Sequence, residues 1–136
     1  MRSNRSIPSC TVMPVLGYPE IGPAIDWLCN AFGFTLRLRI GDHRAQLNVG
    51  DGAVILSQRE LSGQDNFQSV LVRVDDVNLH LERARSHGAQ VLSLPQDHMF
   101  GERQYNVEDL AGHRWTFSQS IADVDPETWG GTPGQM

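Results

Sequence analysis

The chain has 136 residues, a net charge of −5 and 40% hydrophobic residues. These values fit a small globular unit and argue against the basic surface that nucleic-acid binding requires. No apolar run reaches the roughly 18 residues of a membrane span, and the first residues lack the apolar core of a signal peptide. We therefore expect a cytoplasmic protein that contacts neither nucleic acid nor membrane.

The first half of the sequence predicts one helix among four strands. Pro14 suits an edge strand, Pro23 suits the first turn of a helix, and Gly33 suits its end. The stretch that follows the helix alternates, so we expect its apolar side chains on one face and its arginines on the other. The predicted strands are residues 11–16, 34–40, 44–49 and 53–57, and the predicted helix is residues 22–32.

The second half repeats this order. Gly33 aligns with Gly88 and Gly52 with Gly112, at offsets of 55 and 60, which indicates a five-residue insertion that we place around residues 95–103. An internal repeat of this length indicates two copies of one structural unit. The predicted strands are residues 68–74, 89–94, 104–107 and 113–118, and the predicted helix is residues 76–87, capped by Asp75 or Asp76.

These elements divide the chain into five segments. The two repeats are the modules, a polar stretch without periodicity separates them, and the tail is rich in Gly and Pro. The predicted segments are a loose leader at 1–10, module one at 11–58, a linker at 59–67, module two at 68–121 and an arm at 122–136.

Three strings carry a resemblance to a known family. AIDWLCNAFGF and VDDVNLHLERARSHGAQV are similar to the two helices of the vicinal oxygen chelate superfamily, the glyoxalase / bleomycin-resistance / dioxygenase group. DLAGHRW resembles its turn before the last strand, with Leu110 in place of the usual proline. The resemblance covers residues 11–120. It implies an α+β fold of two βαβββ modules whose mixed, curved sheets form a cup, and it implies a homodimer.

The resemblance also implies where a metal would be held. Metal-dependent members use His, Gln or Glu on the first and last strand of each module, because divalent ions take oxygen or imidazole ligands. Counting from the matched strings puts these positions at Met13, Leu56, Ser69 and Thr116. A thioether, an alkyl group and two hydroxyls are poor ligands for such an ion. We therefore expect neither a metal nor another cofactor.

The candidate ligand-binding residues share the predicted cup-facing sides of strands or the insertion. Aromatic rings with a guanidinium group suit a planar or anionic organic molecule, although Phe100 and Tyr105 could equally fill the core. We expect His80 and His87 at the surface and a structural hydrogen bond at His113. The candidates are Met13, Arg44, Gln46, Asn48, Leu56, Ser69, Arg73, His98, Phe100, Arg103, Tyr105, Arg114 and Thr116.

Three functions stay open at this point. The favoured one is a metal-free protein of the bleomycin-resistance type that binds a small organic molecule and sequesters a toxic natural product, with no catalytic residue assigned. The alternative is a glyoxalase-type lyase or isomerase, or a dioxygenase, with a non-standard site that includes Glu102, His98 and Tyr105. The third is a structural or regulatory module whose cup binds nothing.

Overall fold

The computed structural model describes residues 2–60 and 68–134. Most of the predicted linker, residues 61–67, lies outside the described residues. The elements of module one are β1 (Val15–Tyr18), α1 (Ile21–Phe32), β2 (Thr35–Ile40), β3 (Arg44–Val49) and β4 (Gly52–Gln58). Those of module two are β5 (Ser69–Arg73), α2 (Val77–Ser86), β6 (Gln90–Asp97), β7 (Glu102–Glu108) and β8 (Arg114–Ser120), followed by a 3₁₀ helix at Pro126–Trp129.

Each module forms its own mixed sheet, which confirms the predicted pair of βαβββ units. The strand order is β1-β4-β3-β2 in the first sheet and β5-β8-β7-β6 in the second. In both sheets the first strand of the module runs parallel to the last, and the other neighbours are antiparallel. The sheets are curved and not closed.

The end of α1 and the start of α2 match the sequence signals, whereas α1 begins at Ile21 and α2 ends at Ser86. α1 stops at Gly33, whose φ of 81° places it in the left-handed region that glycine adopts without a Cβ clash. Asp76 caps α2, because its Oδ1 accepts hydrogen bonds of 3.1 Å from the backbone N–H groups of Asn78 and Leu79.

One hydrophobic core joins the two modules. It contains apolar side chains of both helices and of the helix-facing side of each sheet, for example Leu47 from β3 and Trp115 from β8. Phe32, at the end of α1, lies 4.9 Å from Phe117 and 5.5 Å from Trp115, measured between ring centroids. Burial of such side chains contributes roughly 1.5–3 kcal/mol each. The helix sides of the two sheets therefore share a single core.

The first two strands differ from the prediction in their pairing with the sheet. The first strand is Val15–Tyr18 rather than residues 11–16, because pairing with β4 starts where the Pro14 carbonyl accepts a 2.9 Å bond from the Ile55 N–H. In β2 the register shifts between Leu36 and Leu38. Such a bulge moves the following residues to the other face, so the predicted separation of leucines from arginines fails.

The predicted insertion lies in a hairpin between β6 and β7. β6 runs to Asp97 and β7 begins at Glu102, and the turn between them closes with a 3.0 Å bond from the Gly101 N–H to the His98 carbonyl. The residues after β8 return to this hairpin, because Ile121 N–H donates a 2.8 Å bond to the Gly101 carbonyl. Phe100 in the turn lies 5.3 Å from Trp129 in the arm, measured between ring centroids.

Candidate functional site

Each sheet has one face against the helices and one face turned away from them, which we call the open face. Residues directly opposite each other on neighbouring strands share a face. In the first sheet, Gln46 pairs with Ile55 and also lies opposite Leu38, whereas Leu47 and Val54 pair on the helix side within the core. The open face of the first sheet includes Thr35, Arg44, Gln46, Asn48, Ala53, Ile55 and Ser57.

The open face of the second sheet is predominantly polar. Thr116 lies opposite Leu71 on β5 and opposite Asn106 on β7, whereas Trp115 and Phe117 point into the core. Leu71 is 60% exposed, a large apolar side chain among polar neighbours. The open face of the second sheet includes Ser69, Leu71, Arg73, Glu102, Gln104, Asn106, Glu108, Arg114, Thr116 and Ser118.

A hydrogen-bonded group of side chains crosses this second open face around Ser118. The Ser118 hydroxyl donates a 2.7 Å bond to Glu102 and accepts a 3.0 Å bond from Gln104 Nε2. Hydrogen bonds from Ser120 and Ser118, together with the charge of Arg73, lower the pKa of the Glu102 carboxyl. Glu102 therefore presents an ionised carboxylate beside a guanidinium group.

A second group of hydrogen bonds links three strands of the same face. The Thr116 hydroxyl donates to Asn106 Oδ1, and Asn106 Nδ2 donates a 2.8 Å bond to the Ser93 hydroxyl. These bonds fix the orientation of the Asn106 amide, so this part of the face presents oriented polar groups.

Arg37 and Gln46 organise the open face of the first sheet. Arg37 Nη1 donates to Gln46 Oε1, although the prediction placed the arginines of this strand on the face opposite its leucines and Leu38 lies opposite Gln46. The bulge in β2 explains the difference, because it turns Arg37 toward the open face. Arg37 is thus a residue of the site that alternation alone does not find.

Most of the predicted cup-facing residues lie on the open faces. In the first sheet these are Arg44, Gln46 and Asn48, and in the second sheet they are Ser69, Arg73, Arg114 and Thr116. Within one chain the two groups are not brought together, because the sheets share their helix sides and not their open faces. Met13 is half-buried and precedes β1.

Three of the predicted ligand-binding residues on strands do not lie on an open face. Leu56 is fully buried in the core, so the side of β4 that we predicted to face the cup is off by one residue, with Ile55 and Ser57 on the open face. Tyr105 is also fully buried in the core. Arg103 forms an ion pair with Asp97 at 2.6 Å at the end of β6 and β7. In each case the pairing register of the strand determines the face.

His98 and Phe100 lie together in the hairpin turn. Their rings stack with centroids 5.1 Å apart and planes 10° apart. Because Phe100 also contacts Trp129, this pair connects the hairpin to the arm. Both side chains therefore contact residues of the hairpin or of the arm.

His80 is a half-buried residue at the contact between the modules, whereas the prediction placed it at the surface. Its Nε2 donates to the Phe32 carbonyl at 3.1 Å, and its Nδ1 accepts from the Tyr105 hydroxyl at 2.6 Å. Burial lowers the pKa of His80 to about 4, despite the bond to the Phe32 carbonyl. Helical spacing predicts the inward position of His80, because it follows the 3.6-residue period of Val77, Leu81 and Ala84.

The turn before β8 also connects the modules. The His113 ring makes the predicted structural hydrogen bond, with Nε2 2.6 Å from the Gly17 carbonyl. Asp109 Oδ2 accepts a 2.6 Å bond from the Tyr18 hydroxyl and a 3.0 Å bond from Trp115 Nε1. The DLAGHRW string therefore has a structural role at the contact between β1 and module two.

A cavity of about 510 Å³ lies at the start of α1, away from both open faces. Its lining includes Ile21, Arg39, Asp42 and His43. Arg39 and Asp42 are already paired with each other at 2.9 Å. The open faces, by contrast, carry Arg44, Arg73 and Arg114 and the exposed Leu71.

Comparison with known proteins agrees with this fold. The family model of the Glyoxalase/Bleomycin resistance protein/Dioxygenase superfamily matches residues 11–117. The chain belongs to this superfamily. Among solved structures, TioX from Micromonospora sp. ML1 is 33% identical to this chain. The TM-score is 0.69, and the match covers 85% of this chain and 100% of that chain.

Other matches are more distant or shorter. The fosfomycin resistance protein FosX from Listeria monocytogenes is 11% identical, with a TM-score of 0.69 over 83% of this chain and 94% of that chain, and shares the fold. An uncharacterized protein of Mycobacterium tuberculosis is 32% identical over 57 residues, which are 42% of this chain and 34% of that protein. That match therefore spans about a third of the curated relative.

The metal that many superfamily members are expected to hold does not fit the side chains of this member. The open faces present Ile55 and Ser57 on β4, Ser69 and Leu71 on β5, and Thr116 on β8. Within residues 2–60 and 68–134, no group of three or more His, Cys, Asp or Glu side chains could hold a metal ion. Hydroxyl and alkyl groups are weak ligands for Zn²⁺ or Fe²⁺, so these positions do not fit either ion.

Proposed function

We propose that this superfamily member binds a small organic molecule between the first sheet of one chain and the second sheet of a second copy. The observation that carries the proposal is the uncovered open face of the second sheet, where Leu71 is 60% exposed. The single core joins the helix sides of both sheets, so within the described residues neither open face covers the other. A second copy would supply the missing wall.

The side chains of the two faces favour an anionic or hydrogen-bonding ligand with an apolar part. Arg44 lies on the first open face, and Arg73 and Arg114 lie on the second. Guanidinium groups bind carboxylates, sulfonates and phosphates in a paired geometry, and Leu71 offers apolar contact. Such a lining is typical of a receptor for a planar organic acid or an oxygen-rich natural product.

We propose sequestration of a toxic natural product, in the cytoplasm, as the role of this binding. The superfamily includes bleomycin resistance proteins by name, and TioX is similar over most of this chain. No span of the described residues forms a helix long and apolar enough to cross a membrane. The lining without good metal ligands suits binding without chemistry.

A thermal-shift screen against a natural-product library tests the proposal. A ligand that binds the folded state raises its stability by about 2.7 kcal/mol at 100 times its Kd. The variant Arg73→Ala/Arg114→Ala should lose the shift, whereas Arg85→Ala, on the exposed side of α2, should keep it. Light scattering should give the mass of a dimer. A monomer, or shifts that survive removal of both open-face arginines, would contradict the shared cup.

A glyoxalase-type lyase is the second candidate, and the position of Glu102 favours it. Glu102 is an ionised carboxylate on the open face, suited to accept a proton from a bound substrate. His98 and Tyr105, its predicted partners, lie in the hairpin turn and in the core. Turnover of glutathione hemithioacetals that disappears in Glu102→Gln would establish this candidate.

A structural or regulatory role without ligand predicts no thermal shift at all.

A further inference from the structure

We propose that residues 4–8 form a strap that occupies the first open face and competes there with the ligand. This inference rests on the proposed function for the identity of the site. The strap covers the module-one half of the cup before a ligand arrives.

Three hydrogen bonds hold the strap against the sheet. Arg37 Nη2 donates to the carbonyls of Arg5 and Ile7, both at 3.1 Å. Gln46 Nε2 donates to the Ser6 carbonyl at 3.0 Å. Three consecutive carbonyls of the strap thus use the donors of the two polar side chains that organise this face.

The apolar side chains of the two open faces differ in how far they are exposed to solvent. Gln46, Ala53 and Ile55 are 7%, 5% and 6% exposed, although neither Ala53 nor Ile55 belongs to the core that the helices share. Pro8 in the strap is buried as well. On the second sheet, by contrast, Leu71 is 60% exposed. The hydrogen bonds of the strap to Arg37 and Gln46 place it against the face that is buried in this way.

The chemistry of these contacts defines the competing ligand. A carbonyl oxygen is a neutral acceptor, and a carboxylate or sulfonate is a stronger one for a guanidinium group. An oxygen-rich ligand can therefore take the donors of Arg37 and Gln46 from the strap. The apparent affinity equals the affinity of the open form multiplied by the fraction of molecules in which the strap lies open.

A point variant in the full chain tests the strap without altering the open face. Pro8→Gly removes the buried ring and gives the free segment more conformational freedom. Ser3→Gly adds the same freedom at an exposed position and is the matched control. The probe is anilinonaphthalene sulfonate, an aromatic sulfonate. We expect Pro8→Gly to bind the probe about fivefold more tightly than the wild type or Ser3→Gly. Equal affinity in all three proteins would overturn the proposal.

Trypsin cleavage after Arg5 gives a second, independent measurement on the wild-type protein. The Arg5 carbonyl is held by Arg37, so cleavage should be slow in the free protein and faster as the probe concentration rises. A synthetic peptide of residues 2–12 supplies the rate of the unprotected bond. Cleavage of the protein at the peptide's rate, or a rate that the probe leaves unchanged, would overturn the strap. A failed ligand screen would instead count against the shared cup.

Discussion

The Tyr105 hydroxyl donates a 2.6 Å hydrogen bond to Nδ1 of His80, across the interior of module two. Burial lowers the pKa of His80 to about 4, so the imidazole is neutral at pH 7 and its Nε2 donates to the Phe32 carbonyl. The His80 ring also lies 3.9 Å from Phe117, between centroids. One neutral imidazole therefore connects α2, β7 and the end of α1.

Stability should fall with acid because of His80. Burial holds the pKa of His80 near 4, below its ordinary value of 6.5, so the unfolded chain binds a proton first. The contribution is complete above pH 6.5 and is lost as the pH falls from there toward 4. We expect a loss of about 2–3 kcal/mol in urea unfolding. His80→Gln should flatten this pH dependence, and His87→Gln, at the exposed end of α2, should leave it intact.

Removal of the Asp109 carboxylate should destabilise the protein strongly. Asp109 accepts four hydrogen bonds, two from Tyr18 and Trp115 side chains and two from the backbone N–H groups of Ala111 and His113. Asp109→Ala leaves the buried Tyr18 hydroxyl without its acceptor, which costs about 2–4 kcal/mol. The control is Asp51→Ala in the corresponding turn of module one, which is exposed. Equal urea midpoints for the two variants would disprove this account.

A charge at Leu71 should abolish ligand binding and leave the fold intact. Leu71 and Leu79 are both exposed leucines, at 60% and 69%, but Leu71 lies on the open face and Leu79 on α2. Leu71→Glu should weaken binding of any compound found in the screen by at least about tenfold, while Leu79→Glu should not. The unfolding free energies of both variants should stay within about 0.5 kcal/mol of the wild type. Calorimetric titration measures the affinities.

Substitution of Gly101 should release the arm from the hairpin. A Cβ at Gly101 would lie 2.5 Å from the Ala122 carbonyl oxygen, and φ is 87°. At Gly112, φ is 85° but a Cβ meets nothing within 4 Å. Gly112→Ala should therefore cost about 1–2 kcal/mol from the left-handed backbone, and Gly101→Ala about 2–4 kcal/mol because a clash is added.

Trp129 fluorescence and limited proteolysis report the position of the arm in these two variants. We expect faster cleavage between β8 and the 3₁₀ helix in Gly101→Ala and the wild-type rate in Gly112→Ala. If both variants lose the same free energy and keep the arm protected, the close contact with Ala122 does not hold the arm.

The sequence by itself determined the order of the elements, the end of α1 and the start of α2. The repeat from Gly33 to Gly88 predicted two copies of one module, and Asp76 predicted a cap that the structure confirms. These signals are local, because a cap or a glycine in a left-handed conformation is satisfied within a few residues of itself. The DLAGHRW string, together with the two helix strings, added the resemblance to the superfamily.

The tertiary structure decided which side of each strand is open. The bulge in β2 turned Arg37 toward the open face, and the register of β4 turned Leu56 into the core. Alternation gives two faces but does not say which one a helix covers, and a shift of one residue exchanges them. The hydrogen bond from Gln46 to Ser6 of the strap joins residues 40 positions apart. The hydrogen bond from His80 to Phe32 joins residues 48 positions apart. Such contacts depend on how the modules pack, because no local preference specifies them.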